Sequence, residues 1–314
     1  MNDTTKNDAC DDINEDKSEL LETFLKLEEL DVDFYRSTHL LRGRKENNRV
    51  YGGQVVGQAL MAAHRTIDHH DFKVHSLHCN FLYAADADRP LLYQVTRIRD
   101  SRSFATRLVR ARQGGKDIFS TSISFQKIEP DSITHQQAMP DVPPPEECEN
   151  AQDFWKRMIL EPATVSEEGK RAAEAYRKVL DFPETFLIKF INPKMYIVDA
   201  PADRPMKFAC WVKNKAIIGE DEHLHHCIAA FISDIAPIGT PIGAHAANNK
   251  FRLDHSMWIH RHDFRIDDDW VLYETESTIA AASRALIHGK MWTRDGRMVL
   301  SSSQEILVRG QRDD

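Results

Sequence analysis

The sequence repeats itself at a separation of about 180 residues, and this repeat limits the folds open to it. "HSLHCNF" begins at His75 and "HSMWIHR" begins at His255, an offset of 180. "GGKDIFSTSISF" and "DGRMVLSSSQEI" place Gly115 against Gly296, an offset of 181. A period this long indicates two duplicated domains rather than a solenoid of short units. The length of 314 residues agrees with two domains, since about 150 residues is a usual domain size.

Both halves have the same predicted order of elements, an apolar helix followed by a run of strands. The helices are predicted from about Gln54 to Thr66 and over "EHLHHCIAAFISD", which ends near Asp234. In the first half the β-branched and aromatic runs predict strands over His75–Ala84, Leu91–Asp100, Arg102–Gln113 and Asp117–Gln126. This order favours an α+β fold in which each antiparallel sheet wraps around a buried helix. The two sheets can join edge to edge, which hides their edge strands.

Changes in composition predict the boundaries of the units. We expect a disordered acidic tail over 1–17, a first unit over 18–128, a linker with short helices over 129–181 and a second unit over 182–310. The spacing of apolar residues predicts a helix over Ser18–Leu30. Within the linker, helices are predicted over Asp153–Leu160 and Glu167–Leu180. At the start of the second unit, strands are predicted around Phe186–Val198 and Phe208–Ile217.

Composition excludes several classes of function. A net charge of −8 argues against nucleic acid as a partner, because phosphate binding needs a basic surface. No apolar run approaches the roughly 18 residues of a membrane helix, so no membrane span is expected. The N-terminus is too acidic for a secretory signal or a transit peptide. The five scattered cysteines show no metal-binding spacing and fit a reducing compartment.

Asp234 is the most informative candidate for catalysis. It ends the apolar run "CIAAFISD", where an ionised carboxylate is costly unless it is hydrogen-bonded or has a shifted pKa. The first unit's helix, "GGQVVGQALMAA", contains no acid, so packing does not demand one. Asp234 is therefore either a general base or water-orienting group, or a helix-end aspartate that faces solvent or caps the next turn.

Two further polar positions distinguish the second unit from the first. The offset of 180 aligns Ser277 and Thr278 with Arg97 and Ile98, and the offset of 181 aligns Gln304 with Ile123. Polar side chains in place of apolar ones fit a site in the second unit only. Ordinary alternation on a solvated strand face explains them equally well.

Other motifs have weaker functional interpretations. The glycines of "GGQVVG" allow a turn and close approach to a ligand, although the motif lacks the dinucleotide fingerprint. "EHLHH" and "DHHD" have no second ligand cluster at helical spacing, so we expect surface loops and no metal. The arginines between Arg97 and Lys116 are a candidate surface for a phosphorylated ligand, or else a solvated strand face.

Taken together, these motifs resemble the type II acyl-CoA thioesterases, which have a double hot-dog fold. The resemblance runs from about Leu20 to Val308 and includes "RVYGGQVVGQALMAAHRTI", "LDHSMWIHR", "VLYETEST" and "TRDGRMVLSSSQE". It implies hydrolysis of fatty acyl-CoA by an activated water, without a cofactor. It assigns the catalytic roles to Asp234, Thr278 and Gln304, with Ser277 as an alternative hydroxyl. Backbone groups at Gly52 and Gly53, with Gln54, are candidates for binding the oxyanion or the substrate.

Two other functions compete with hydrolysis. Hot-dog hydratases carry a His five residues after the Asp, where this chain has Gly239, so a hydratase is disfavoured. A non-catalytic acyl-CoA-binding protein is the second alternative, against which the complete Asp, Thr and Gln set argues.

The resemblance also bears on compartment and assembly. It implies a peroxisomal location, but the ending "GQRDD" is not an SKL-type signal, which leaves cytosol or mitochondrion open. We expect chains to associate, because one helix covers one sheet face and leaves apolar residues such as Trp258, Trp270 and Trp292 to be hidden.

Overall fold

The structure is a computed structural model that describes residues 24–44, 47–160, 186–193, 206–235 and 249–309. The predicted tail over 1–17, the predicted helix over Glu167–Leu180 and Gly239 lie outside these residues.

Three α-helices are described: α1 (Gly52–His64), α2 (Ala151–Leu160) and α3 (Glu222–Ser233). A 3-10 turn occupies Pro145–Glu147. All of α1 except Met61 is buried, and α3 is buried from Leu224 onward, as the apolar sequences of both helices predict. Across the described ranges, no helix is both long and apolar enough to span a bilayer.

The strands alternate buried and exposed residues, as expected where one sheet face covers a core. The first half contains β1 (Leu27–Asp31), β2 (Phe34–Ser37), β3 (Arg42–Arg44), β4 (Asn47–Val50), β5 (Phe72–Phe81), β6 (Leu92–Asp100), β7 (Phe104–Gln113) and β8 (Lys116–Lys127). The remainder contains β9 (Glu149–Asn150), β10 (Phe186–Phe190), β11 (Lys207–Asn214), β12 (Asn249–Arg252), β13 (Asp254–Ile259), β14 (Val271–Ala281), β15 (Arg284–Thr293) and β16 (Met298–Arg309).

Both halves contribute to one sheet of 14 strands, in the order β1-β2-β6-β7-β8-β5-β13-β16-β15-β14-β11-β10-β9, with β12 paired to β16. The order β5-β8-β7-β6 on one side of the centre is mirrored by β13-β16-β15-β14 on the other. The two halves join where β5 pairs antiparallel with β13, with Cys79 opposite His255 and Leu77 opposite Met257. The predicted edge-to-edge union into a double hot-dog α+β fold is confirmed.

The two buried helices pack directly against each other beneath this sheet. Gly53 faces the backbone oxygen of Phe231, and Gly57 faces that of Cys227, so the helices run antiparallel. A Cβ atom added at Gly53 would lie 2.4 Å from the Phe231 oxygen, and one at Gly57 would lie 3.0 Å from the Cys227 oxygen. Glycine is therefore required for this close approach of the two backbones. The packing places the start of α1 beside the end of α3.

The predicted helix over Ser18–Leu30 is wrong at its C-terminal end. Leu27–Asp31 forms strand β1, which pairs with β2, and β2 continues the main sheet by pairing with β6. Only Phe24 and Leu25 within the described part of that range are helical. Tertiary pairing with a sheet edge overrides helical periodicity in so short a segment.

The prediction that association of chains is needed to hide Trp292 is also wrong. Trp292 is fully buried in a small core with Trp211, Leu272 and Cys148. Part of the predicted linker supplies this cover, since the Trp211 indole N–H donates to the Pro143 carbonyl at 2.9 Å. Trp258 remains 37% exposed.

The histidines of "EHLHH" do not lie in a surface loop as predicted. His225 and His226 are buried within α3, whereas His69 and His70 of "DHHD" are exposed. "EHLHH" contains no helix breaker, so these residues can form the first turns of α3. The histidine side chains are buried because α3 packs under the sheet.

We predict that Gly53→Ala lowers the free energy of unfolding by about 1–3 kcal/mol, because the added methyl group forces α1 away from α3. Chemical denaturation followed by circular dichroism measures the change. Gly43→Ala is the matched control, since its Cβ would meet its nearest atoms at 3.5–3.7 Å, an ordinary contact distance. Equal stability of the two variants would show that the helix contact is not tight.

Candidate active site

Asp234 lies at the junction of the two helices. It is the residue that ends α3, with φ −90° and ψ −1°, and its side chain is fully buried. Helix α3 starts at a defined point because the Asp221 carboxylate accepts the backbone N–H groups of His223 and Leu224. Since α3 ends at the start of α1, the Asp234 carboxylate also faces Gly52 and Gly53. The alternative in which Asp234 faces solvent is therefore wrong.

The two oxygens of this carboxylate have different surroundings. Oδ1 accepts a hydrogen bond from Gln304 Nε2 at 2.7 Å and another from Arg252 Nε. The backbone N–H of Gly53 also donates to the carboxylate. Oδ2 is buried and has no hydrogen-bond partner among the described residues. One oxygen thus orients the carboxylate, and the other remains available as an acceptor.

Burial raises the pKa of Asp234 above its ordinary value. The nearby charge of Arg252 and the hydrogen bond from Gln304 oppose part of that rise. A carboxylate with a raised pKa is a stronger base than an exposed one, and its pairing with Arg252 favours the ionised form that a base requires.

Arg252 pairs with Asp234 at this site, although the sequence patterns considered above did not predict it. It is 20% exposed, donates from Nη2 to the Asp234 backbone oxygen at 3.2 Å, and lies over the Tyr51 ring. A signal was present in the repeat, since the offset of 180 aligns Arg252 with Phe72, which is buried in the first unit. A charged residue in an apolar position could have been singled out by the same comparison that selected Gln304.

Hydrogen bonds fix the last turn of α3 from several directions. Tyr51 donates to the Phe231 carbonyl at 3.0 Å, and Tyr273 donates to the Ser233 carbonyl at 2.5 Å. The Ser233 hydroxyl donates to the Ala230 carbonyl and pairs with His255 Nε2 at 2.8 Å. Burial lowers the pKa of His255 to about 3, so this imidazole is neutral at physiological pH. These contacts satisfy carbonyl groups that a helix end leaves unpaired and hold Asp234 in place.

The predicted residues Gly52 and Gly53 lie directly at this site. A Cβ atom at Gly52 would lie 3.0 Å from Asp234 Oδ2 and 3.1 Å from Phe81 Cε1, so the absence of a side chain lets the start of α1 pack closely against the carboxylate. Gln54 is different: its Oε1 accepts the Leu41 N–H, and its Nε2 donates to the carbonyls of Phe24 and His39. These contacts give Gln54 a structural role in holding the chain before α1.

The hydroxyl residues predicted for the site are not brought to the carboxylate. Thr278 is exposed at an irregularity in the pairing of β14 with β15, between Ser277 and Ile279. Ser277 donates to the Leu286 carbonyl at 3.3 Å. Within the described ranges, no hydrogen bond links either residue to Asp234. The catalytic roles of Thr278 and Ser277 stay predictions that these contacts do not support.

The arginines between Arg97 and Lys116 are largely occupied by acids of the chain itself. Arg97 pairs with Asp33, Arg107 is buried and pairs with Asp100, and Arg112 pairs with Asp117. A phosphate would have to compete with these carboxylates, so the pairs favour a structural role over binding of a phosphorylated ligand.

Comparison with known proteins places this geometry in a family. Residues 42–126 match the family described as acyl-CoA thioesterase N-terminal domain, and residues 162–308 match its C-terminal domain. The chain belongs to the acyl-CoA thioesterase family. The two matches correspond to the two copies of the repeat, and Asp234, Arg252 and Gln304 all lie within the second.

Individual relatives of this thioesterase family member cover most of the chain. It is 40% identical to human acyl-coenzyme A thioesterase 8, over 93% of the chain and 90% of the relative. It is 30% identical to acyl-CoA thioesterase 2 of Haemophilus influenzae, over 91% and 95% of the two chains. The crystal structure of the acyl-CoA thioesterase II TesB2 from Mycobacterium marinum superposes with a TM-score of 0.73 at 32% identity, covering 94% of this chain and 100% of that one.

We predict that Arg252→Gln shifts the acid limb of the pH–activity profile upward by about 1–3 pH units, because loss of the paired charge raises the pKa of Asp234 further. Hydrolysis measured across pH by release of free thiol tests this. Arg252→Lys keeps the charge and should shift the limb less. An unchanged limb in Arg252→Gln would show that Arg252 does not set the ionisation of Asp234.

Proposed function

We propose that this protein hydrolyses fatty acyl-CoA to a free fatty acid and coenzyme A, with a water molecule as nucleophile and no covalent intermediate. Membership of the acyl-CoA thioesterase family supports the reaction class. The observation that carries the mechanism is the buried Asp234 carboxylate, which is oriented through Oδ1 and leaves Oδ2 without a partner among the described residues.

The amide of Gln304 supplies a second acceptor beside that oxygen. Gln304 is fully buried on β16, and its Oε1 also has no hydrogen-bond partner within the part of the chain described. Because Gln304 Nε2 already donates to Asp234 Oδ1, the two free acceptors belong to adjacent groups. A water has two hydrogens to donate, and one can go to each acceptor, which points its lone pair towards a substrate carbonyl.

The reaction then proceeds by general base catalysis. The water oxygen forms a bond to the thioester carbonyl carbon as its proton passes to Asp234 Oδ2. The C–S bond of the resulting tetrahedral intermediate breaks, and the proton passes from Asp234 to the departing thiolate. The products are a fatty acid and the coenzyme A thiol, so Asp234 ends in its starting form. This balance requires no cofactor and no metal.

Stabilisation of the oxyanion is assigned to the start of α1. The N-terminus of a helix carries partial positive charge and backbone N–H groups without helical partners. Since the Gly53 N–H is already directed to Asp234, Gly52 and the neighbouring Arg252 are the groups we propose for the developing negative charge.

The competing functions are less well supported. A protein that only binds acyl-CoA has no need of a buried carboxylate oriented by Arg252, Gln304 and Gly53, because burial of that charge is costly. Hydratase activity has no support from the relatives reported above, all of which are named thioesterases.

We predict that Asp234→Asn reduces turnover by about 10²–10⁴-fold, because the amide keeps the shape of the carboxylate but cannot accept the proton of the water. Thiol release from palmitoyl-CoA measures the rate. Affinity for a non-hydrolysable acyl-CoA analogue should change little, since the ground-state ligand does not need a base. Near wild-type turnover in the folded variant would overturn the mechanism.

Further variants separate the roles within the site. Gln304→Ala should lose less activity than Asp234→Asn, and the double variant should lose less than the product of the two effects, because both groups hold one water. Thr278→Ala and Ser277→Ala test the hydroxyl role implied by the resemblance. A loss in Thr278→Ala comparable to that in Gln304→Ala would restore Thr278 to the mechanism.

We propose that the chains form homo-oligomers. Trp258 on β13 is 37% exposed, and Phe251 and Ile279 are 40% and 59% exposed, which leaves apolar surface on the described part of the molecule. Light scattering should give a mass that is a multiple of 36.1 kDa at micromolar concentration. A clean monomer mass would refute the proposal.

The peroxisome is the compartment we propose. A yeast relative, 23% identical over 93% of this chain, is named peroxisomal acyl-coenzyme A thioester hydrolase 1. Microscopy of the chain with a fluorescent protein at its N-terminus should show co-localisation with a peroxisomal marker. Diffuse cytosolic or mitochondrial fluorescence would favour the alternatives.

A further inference from the structure

A second cluster of ionisable side chains lies at the opposite end of the helix pair from Asp234. His64 is the last residue of α1, and Glu222, His223 and His226 lie on the first turns of α3. His262 joins them from the segment after β13. Asp234 follows His226 by eight residues and Glu222 by twelve, which is about 12 to 18 Å along α3 at about 1.5 Å per residue, so the cluster is not part of the hydrolytic site.

Three of these side chains have the spacing of metal ligands. His226 Nε2 and His262 Nδ1 are 3.3 Å apart, and Glu222 Oε1 lies 3.9 Å from each of them. Tetrahedral zinc with bonds of about 2.0–2.1 Å places its ligand atoms about 3.3–3.4 Å apart. The triangle therefore needs only a small contraction to surround an ion.

Two more imidazoles lie beside this triangle. Ligand atoms of His64, His223 and His226 all lie within 4.8 Å of one another, so His226 belongs to two groups of three. The rings of His64 and His223 have centroids 4.2 Å apart. These two imidazoles form a separate group around His226 and are not ligands in the Glu222, His226 and His262 triangle.

Several polar atoms of this cluster are buried without a hydrogen-bond partner, although His226 Nε2 and His262 Nδ1 contact each other. Among the described residues, no hydrogen bond reaches either ring nitrogen of His64, Nδ1 of His223, Nδ1 of His226 or Oε1 of Glu222. His226 is fully buried and His64 is 8% exposed. Buried polar atoms are nearly always paired, and so many unpaired atoms in one place require an explanation such as an ion.

The charges around the cluster are compatible with a cation. Burial lowers the pKa of His64 and His226 well below the ordinary value, and it also lowers those of His223 and His262. The neutral imidazoles that result are the form that binds metal. Lys73 on β5 opposes a cation, but its ammonium group is paired with Glu222 Oε2, which leaves Oε1 directed at the histidines. The other charged or titratable groups that act on these histidines are Asp221, Asp263, His70, His75 and His225.

We propose that Glu222, His226 and His262 form a binding site for a divalent transition-metal ion of the zinc class, with water as the fourth ligand. Imidazole and carboxylate ligands suit zinc and cobalt, and the absence of cysteine from the set disfavours softer ions. Coordination would tie the first turns of α3, through Glu222 and His226, to the segment after β13, through His262.

The test uses the full chain without a histidine tag, freed of metal by a chelator. Titration calorimetry with Zn²⁺ should give one site per chain, and Co²⁺ should give the intense visible absorption of tetrahedral coordination. Bound Zn²⁺ should raise the midpoint of thermal unfolding, because it binds the folded chain in preference to the unfolded one. Hydrolysis of acyl-CoA by the metal-free protein should persist, which separates this proposal from that for Asp234.

Two sets of variants locate the ion. His262→Gln and Glu222→Gln, both at partly exposed positions, should each weaken Zn²⁺ binding at least about tenfold, since even outer-shell partners of a metal contribute this much. The control is the double variant His69→Gln and His70→Gln, which removes exposed histidines and should bind as the wild type does. Circular dichroism confirms folding of each variant. Failure of the wild-type chain to bind Zn²⁺, or equal affinity in His262→Gln, would overturn the proposal and leave a neutral His226–His262 hydrogen bond.

Discussion

The contact between the backbones of α1 and α3 is the constraint on which the rest of the structure depends. Two glycines one helical turn apart, Gly53 and Gly57, let α1 approach the carbonyls of Phe231 and Cys227 at distances that any Cβ would prevent. The helices are thereby locked in antiparallel register beneath one continuous sheet. Both ends of this pair carry ionisable groups, with Asp234 at one end and the histidine cluster at the other. The same contact therefore places both sets of side chains.

The register also decides the electrostatics of Asp234. The carboxylate lies at the C-terminus of α3, where the helix dipole is unfavourable to negative charge, and at the N-terminus of α1, where it is favourable. Burial adds a further cost, which Arg252 and Gln304 offset through Oδ1 and the Gly53 N–H offsets at the carboxylate. The net result is a pKa raised above the ordinary value of Asp234, which makes this carboxylate more basic than an exposed one. Because Arg252 and Gln304 both donate to Oδ1 and Oδ2 has no hydrogen-bond partner among the described residues, the site retains one acceptor oxygen for chemistry.

Much of the fold was predictable from the repeat and the local patterns. The alternating strands, the two apolar helices and the joining of two sheets follow from hydrophobic periodicity and from the need to cover sheet edges. Comparison of the two copies of the repeat also selected Asp234 and Gln304 as candidate site residues. A polar residue that only one copy carries is not required for packing of the shared fold. Arg252 was overlooked, although it stands where the other copy has the buried Phe72.

Other features depended on partners far away in the sequence. The segment Leu27–Asp31 has helical spacing but forms a strand, since it pairs with β2 at a sheet edge. Trp292 is hidden by the linker, which no local pattern indicates. The family resemblance assigns the hydroxyl of Thr278 or Ser277 to the same site as Gln304, but Thr278 is exposed at an irregularity in β14, and Ser277 donates to the Leu286 carbonyl. Register and strand irregularities depend on pairing geometry, which residue types alone do not specify.

Residue types and their spacing along the chain were enough to predict the duplication, the double hot-dog architecture and the thioesterase resemblance. The same patterns selected Asp234 and Gln304 as candidates, and these two side chains are hydrogen-bonded to each other. The tertiary structure was needed to show that Arg252 joins Gln304 in binding the Asp234 carboxylate. It was also needed to show that the Gln54 amide is hydrogen-bonded to backbone groups of the preceding chain. It also decided that His64 meets His223 and His226 across the helix pair. Antiparallel packing of α1 on α3 brings together residues more than 150 positions apart in the sequence. Hydrogen bonds and metal-ligand spacing change with differences in distance of a few tenths of an ångström, which residue types alone do not specify.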